Sequence, residues 1–158
     1  MALDSQSRES GASCALREFC ITILWISFAI LLTAVFFDLR SREIPDALPV
    51  CLLILGALAT GFHLHRVRWI DLGLGLSLGF LVGLILFRLG GFGGGDVKLL
   101  ASLGAVVGFK GELGVMFYMA ILGGVLALLA RIRREREYAY APAIALGLLA
   151  FIVRGYFP

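Results

Sequence analysis

The segment FCITILWISFAILLTAVFF, residues 19–37, contains no charged side chain. A helix of that length covers the hydrocarbon core of a bilayer, which is about 30 Å thick. The run ends at Asp38, and further apolar runs follow at 47–62, 69–87, 97–109, 113–130 and 139–153. The pattern predicts an all-α, polytopic membrane helix bundle with about six transmembrane helices.

The composition of the whole chain favours the same class of protein. Of its 158 residues, 60% are hydrophobic and 16% are charged, and the mean hydropathy is +0.97. Soluble domains are about a quarter charged and just under half apolar, so an ordinary soluble domain is excluded and a lipid bilayer is the expected surrounding. The net charge is only +3. The sequence has no basic stripe with interleaved aromatic side chains, so nothing in it indicates nucleic acid as a partner.

Two stretches at the edges of the apolar pattern need interpretation. Residues 1–18 are polar and rich in serine, and we expect a short mobile N-terminal tail ahead of a membrane-embedded core at 19–158. The run 97–109 would rise only about 20 Å as a helix, so it crosses a thin bilayer, extends into its flanks, or enters and returns. Glycines at small-xxx-small spacing within several runs predict close helix contacts.

Two aspartates lie where an apolar run meets a short loop. Asp38 ends the first run, and Asp96 opens the fourth after GGFGGG at 90–95. Two runs separate them, and two crossings return the chain to the same side, so we expect both carboxylates at one membrane face. If the tail is outside, the loops on that face hold eight of the 14 basic residues, including the cluster 131–136. This excess favours the cytoplasmic side for the two aspartates.

Paired carboxylates have a known chemical use. Their repulsion lets one carboxylate be ionised while the other keeps its proton. One can then activate a water while the other protonates a carbonyl oxygen or a leaving amine, as in aspartic proteases, without a metal or a cofactor. His63 and His65 follow the second run, one crossing away, and the cysteines form no CxxC pair. A metal site or a Ser/His or Cys/His nucleophile is therefore not expected.

Simpler interpretations of the same residues stay open. Asp38 could only end a span at the interface, and Asp96 could only favour a helix N-terminus. The glycine run could be a hinge, or a surface along which a peptide lies as an added strand. Asp46, after Pro45, is typical of a helix start. Lys98 is typical of a side chain that extends to the headgroups, with binding or charge compensation as the lesser hypothesis.

Three stretches resemble the prepilin peptidase (type IV leader peptidase) family: DLRSREIPD at 38–46, GGGDVKLL at 93–100 and YAPAIALG at 140–147. The resemblance covers about residues 19–154. It implies a GxGD-type aspartic endopeptidase that removes the short basic leader from prepilins or pseudopilins at the cytoplasmic face of the bacterial inner membrane.

The resemblance also implies roles for particular residues. It makes Asp38 and Asp96 the catalytic pair, and Gly93 and Gly95 match the glycines of the family's second motif. We expect Gly93 and Gly95, and as the lesser hypothesis Lys98, to take part in substrate binding. Asp46 departs from the family, which often has asparagine after Ile-Pro.

A second departure concerns the segment with paired cysteines that large members carry for N-methylation. The chain has no CxxC pair, so it resembles the short form associated with tight-adherence (Flp-type) pili, and methyltransferase activity is not expected.

Two other functions compete with this interpretation. An ion- or proton-coupled small transporter would use Asp38 and Asp96 as carriers and would hold them near mid-span. A non-catalytic membrane subunit, held by its glycine faces, would tolerate replacement of either acid.

Overall fold

The computed structural model describes residues 2–41, 44–64, 67–90, 92–132 and 141–156, with side chains from residue 18 onward except 127, 129–132 and 156. These residues form five helices, namely α1 (Ala2–Ser41), α2 (Ala47–Gly61), α3 (Trp69–Arg88), α4 (Gly94–Ile132) and α5 (Ala141–Tyr156). No strand occurs among them. The predicted all-α bundle of apolar helices is therefore confirmed.

Apart from Phe62, which follows the end of α2, all six predicted apolar runs are helical where the structure describes them. They occupy five helices, because α4 contains two runs. This helix has 39 residues and a kink at Gly108, where φ is 71° and ψ is 176°. Only glycine adopts such a backbone readily. The loop expected at 110–112 is helical instead. Lysine and glutamate interrupt an apolar run without disfavouring a helix, and the break between the two helical parts of α4 is at Gly108. How the run 97–109 crosses the bilayer stays a prediction.

Three helices are long and apolar enough to cross a membrane, namely Glu18–Ser41 within α1, Trp69–Arg88 and Gly94–Leu126. The other two, α2 and α5, are apolar but shorter, with 15 and 16 residues. The polar segment expected as a mobile tail is helical from Ala2 and continues directly into the apolar part of α1. The division of the chain at residue 18 stays a prediction.

Glycines allow α3 and α4 to pack backbone against backbone, as their spacing predicted. A Cβ atom at Gly75 would overlap Gly104, and one at Gly79 would lie 2.6 Å from the carbonyl oxygen of Leu100. Further along, Gly83 lies against Val97. Since the residue numbers rise along one helix as they fall along the other, the two helices are antiparallel.

The kinked helix α4 is the centre of the bundle. Its first part packs on α3 and α2, and its second part packs on α5, while α1 packs mainly on α5. The core contains fully buried leucine and isoleucine side chains from four helices, namely Leu31, Leu52, Leu99, Leu100, Leu103, Ile144 and Leu148. Large apolar side chains such as Phe36, Ile70, Leu81 and Phe117 are exposed on the outside, as a lipid-facing surface requires.

Some residues used in the sequence interpretation lie outside the described part of the chain. They are His65 and Tyr140, the side chain of Cys14, and the side chains of the basic cluster 131–136.

Candidate active site

The first turn of α4 fixes Asp96. Gly93 directly precedes the helix, and its N–H donates a hydrogen bond of 3.1 Å to Oδ2 of Asp96, the third helical residue. A carboxylate at this position satisfies a backbone N–H that the helix leaves unpaired, and it complements the helix dipole. The structural role that the sequence allowed for Asp96 is thus real. It accounts for only one of the two carboxylate oxygens.

The second oxygen of Asp96 is not used by the helix. The side chain is only 4% exposed, and Oδ1 has no hydrogen-bond partner among the described residues. A buried carboxylate oxygen without a partner is costly. It is therefore suited to bind a water molecule or a substrate group.

Asp38 and Asp96 lie at the same end of the bundle and line the same pocket. Asp38 is half-buried near the C-terminus of α1, and Asp96 is at the N-terminus of α4. The pocket has a volume of about 350 Å³ and is lined by Asp38, Ile44, Asp46, Gly93, Gly94, Gly95 and Asp96. The two carboxyl groups are close enough to interact electrostatically. The structure thus brings together the two acids that the sequence placed on one face.

The glycines of the pocket have different roles. A Cβ atom at Gly95 would lie only 2.9 Å from Cβ of Ile44, so the absence of a side chain lets the segment 44–46 approach α4. At Gly94 nothing lies within 4 Å of such an atom, and at Gly93 the nearest atom is Oδ2 of Asp96 at 3.4 Å. Gly95, which directly precedes Asp96, therefore lies against Ile44, the isoleucine of the stretch 38–46.

Lys98 does not line the pocket of the two aspartates. Its Nζ atom lies 2.6 Å from Oδ1 of Asp46. The sequence favoured contact with headgroups, and the ion pair instead fits the lesser hypothesis of charge compensation. Asp46 directly precedes α2, as expected of a helix start, but its side chain makes no capping hydrogen bond. The substrate-binding roles of Gly93, Gly95 and Lys98 stay predictions.

A second cavity adjoins this ion pair. It has a volume of about 340 Å³ and lies between α2, α3 and α4, lined by Asp46, Pro49, Val50, Leu53, Leu76, Phe80, Lys98, Ala101 and Ser102. Most of these side chains are apolar. Asp46 belongs to both linings, so the polar pocket and the apolar groove meet at this residue.

Sequence reasoning missed Glu112, because it placed this residue in a loop. Glu112 is 0% exposed within α4, and neither carboxylate oxygen has a hydrogen-bond partner among the described residues. One signal was available in the sequence: Glu112 lies three residues before Val115 and seven before Met119, the spacing of one helix face. Both of these apolar side chains are buried. It does not line the pocket of the aspartates.

The other polar candidates lie away from this pocket. His63 follows the C-terminus of α2, whereas Asp46 precedes the N-terminus of the same helix. Cys20 and Cys51 are free cysteines. Within the described ranges, no group of three or more His, Cys, Asp or Glu side chains could hold a metal ion.

Comparison with known proteins gives a consistent family assignment. The sequence model of the type IV leader peptidase family matches residues 25–128, a range that includes Asp38 and Asp96. The chain is 30% identical over 122 residues to the prepilin leader peptidase/N-methyltransferase of Neisseria gonorrhoeae, over 73% of this chain and 43% of that protein. It is 38% identical over 87 residues to the protein of the same name from Bacillus subtilis (strain 168), over 50% of this chain and 35% of that protein.

An archaeal relative is similar over about half of the chain. The preflagellin peptidase of Methanocaldococcus jannaschii is 38% identical over 81 residues, which cover 49% of this chain and 34% of that protein. The matched parts span about a third to somewhat under half of the length of these relatives. No solved structure matches the chain.

Proposed function

The chain belongs to the type IV leader peptidase family, and we propose that it is an aspartic endopeptidase with Asp38 and Asp96 as its catalytic pair. Its substrates are type IV or Flp-type prepilins or pseudopilins, from which it removes the short basic leader. The observation that carries the proposal is the shared pocket of these two carboxylates at one end of the bundle. Relatives named as prepilin and preflagellin peptidases support the class of substrate.

The reaction needs one proton shared between the two aspartates. The ionised carboxylate removes a proton from a water molecule as that water attacks the carbonyl carbon of the scissile peptide bond. The protonated carboxyl group donates to the carbonyl oxygen, which stabilises the tetrahedral intermediate. When the intermediate collapses, the C–N bond breaks and the amine nitrogen takes the proton held by one aspartate. The other aspartate takes a proton from a hydroxyl group of the intermediate, so a carboxyl group forms and the pair again holds one proton.

The structure supports this use of Asp96 in particular. The hydrogen bond from Gly93 fixes one oxygen, so the carboxyl plane is already held before substrate binds. The other oxygen has no hydrogen-bond partner among the described residues. Catalytic groups that are fixed in advance avoid the cost of reorganisation in the transition state.

The surroundings of the pair suit a peptide with an apolar part. The backbone at 93–95 lines the pocket, and open space at Gly94 allows another chain to approach. An extended peptide could lie there as an added strand. The adjoining groove offers apolar side chains, such as Val50, Leu53 and Phe80, for apolar substrate residues next to the cleavage site.

We place the pocket at the cytoplasmic face of the bacterial inner membrane. Three helices are long and apolar enough to span it. The orientation rests on the resemblance to the prepilin peptidase family, because the basic cluster 131–136 shares the face of the aspartates only if the two parts of α4 on either side of Gly108 cross separately. The alternative of an ion- or proton-coupled transporter needs its acids near mid-span. Asp38 lies three residues before the end of α1, and Asp96 is the third residue of α4.

The test uses membranes that contain this chain and a candidate Flp-type prepilin. Loss of the leader is measured as a mass shift of the prepilin. Intact protein should cleave, and Asp38→Asn and Asp96→Asn should not, although both variants insert normally. Asp71→Asn is the matched control, because Asp71 is an aspartate in the first turn of α3 that pairs with Arg68 and does not line the pocket. Cleavage that persists without either pocket aspartate would mean that another protease acts.

A further inference from the structure

The helices that carry the two aspartates hardly pack against each other. α1 packs mainly on α5, and α4 packs mainly on α3, α5 and α2. Direct contact between α1 and α4 therefore does little to fix the separation of Asp38 and Asp96. Other parts of the chain must set it.

The segment 44–46 is one such part, because it follows the end of α1 and contacts α4 on both sides of Asp96. Ile44 packs on Gly95, directly before this aspartate. Asp46 forms its 2.6 Å ion pair with Lys98, two residues after it. The segment thus contacts the first turns of α4 at two points, through one apolar contact and one ion pair.

Neither helix capping nor folding stability explains the ion pair. Asp46 makes no side-chain capping bond to α2. The side chains of Lys98 and Asp46 are 55% and 73% exposed, and exposed ion pairs contribute little to the stability of a fold. Reaction rates are far more sensitive, since a misplacement of about 1 Å between reacting groups can reduce a rate about 100-fold.

We propose that Asp46 and Lys98 are positioning residues, whose ion pair holds the segment 44–46, and with it the end of α1, in register with the first turn of α4. The pair thereby keeps Asp38 at its working distance from Asp96. This inference rests on the proposed peptidase function. It gives Lys98 a role within the protein rather than in contact with substrate.

A charge swap tests the inference. Asp46→Lys and Lys98→Asp should each lower kcat about fivefold, the size that an exposed ion pair supports, with KM unchanged. The double variant Asp46→Lys/Lys98→Asp should recover most of kcat, because it restores attraction between the two positions. Asp46→Asn should lose less than Asp46→Lys, since its amide oxygen can still accept a hydrogen bond from Lys98.

The chain offers a matched control pair. Arg68 and Asp71 form an exposed ion pair of 3.3 Å at the start of α3, remote from the pocket. Reversing either charge there should leave kcat and KM unchanged. An increase in KM with unchanged kcat in the Lys98 or Asp46 variants, without recovery in the double variant, would overturn the positioning role and indicate direct contact with substrate.

A second readout does not depend on cleavage. A carbodiimide joins a carboxylate and an amine that are in contact, with loss of water, so treated membranes should yield the peptide pair linked through Asp46 and Lys98. Asp46→Asn should abolish that product. Its absence in the intact protein would overturn the inference even if leader cleavage is observed, whereas a linked product in a chain that cleaves no prepilin would locate the failure in the proposed function.

Discussion

Helix α4 carries two buried carboxyl side chains in opposite settings. Asp96 is at the helix start, with a backbone donor on one oxygen, a second acid nearby and a pocket. Glu112 is within the helix, with no hydrogen-bond partner among the described residues, and it does not line that pocket. The difference teaches that burial of an acid does not by itself make an active site. The proposed site adds a fixed carboxylate, a partner acid and a pocket that a substrate can enter.

The largest effect is expected from the two pocket aspartates. Asp96→Asn should reduce the rate of leader cleavage by at least about 100-fold, because acid and base groups commonly contribute that much. The asparagine oxygen can still accept the hydrogen bond from Gly93, so insertion should not change. Single-turnover cleavage by mass shift is the measurement.

The double variant sharpens this expectation. If the two aspartates act as a unit, Asp38→Asn combined with Asp96→Asn should lose no more activity than either change alone. Losses that multiply would contradict a shared proton and a single catalytic pair. Glu112→Gln, the corresponding change at the other buried acid, should leave the rate unchanged.

The pH dependence of the cleavage rate should distinguish the role of Asp96 from that of Glu112. A pair that needs one proton is inactive when both groups are protonated at low pH and when both are ionised at high pH, so the rate should pass through a maximum. The profile of Glu112→Gln should coincide with that of the intact protein. A displaced limb in this variant would mean that Glu112 belongs to the catalytic machinery.

A smaller effect is expected from the contact between Gly95 and Ile44. Gly95→Ala places a Cβ atom 2.9 Å from Cβ of Ile44, so the segment 44–46 must move and cleavage should fall about tenfold. Gly73→Ala is the control, since nothing lies within 4 Å of a Cβ atom there. Equal activity of the two variants would show that the approach of Ile44 to α4 does not matter.

Much of the fold was accessible from the sequence, because apolar runs and helix ends follow from local composition. The place where the two parts of α4 join was not. Lys110 and Glu112 interrupt the apolar pattern, and the pattern alone does not distinguish a loop from a helix with charged residues. The actual irregularity is at Gly108, inside an apolar run, where only the positive φ reveals it.

Only part of the candidate site could be predicted from the sequence. The number of crossings between Asp38 and Asp96 was enough to predict that they share an end of the bundle. The contacts of Ile44 with Gly95 and of Asp46 with Lys98 were not predictable, since they join residues about 50 positions apart. Such contacts depend on how the helices pack, and no local pattern encodes them.

The smallest expected effect is on stability, at Glu112. Replacing this buried carboxyl group by an apolar side chain removes a polar group that has no partner in the described structure, so Glu112→Leu should raise the free energy of unfolding by about 1 to 3 kcal/mol. Glu112→Gln should give no comparable gain, because it keeps a buried polar group. Thermal unfolding in detergent measures both. A destabilised Glu112→Leu variant that also loses cleavage would show that this carboxyl group has a polar partner and a task, and the contrast with Asp96 would then be one of position along α4 and not of function.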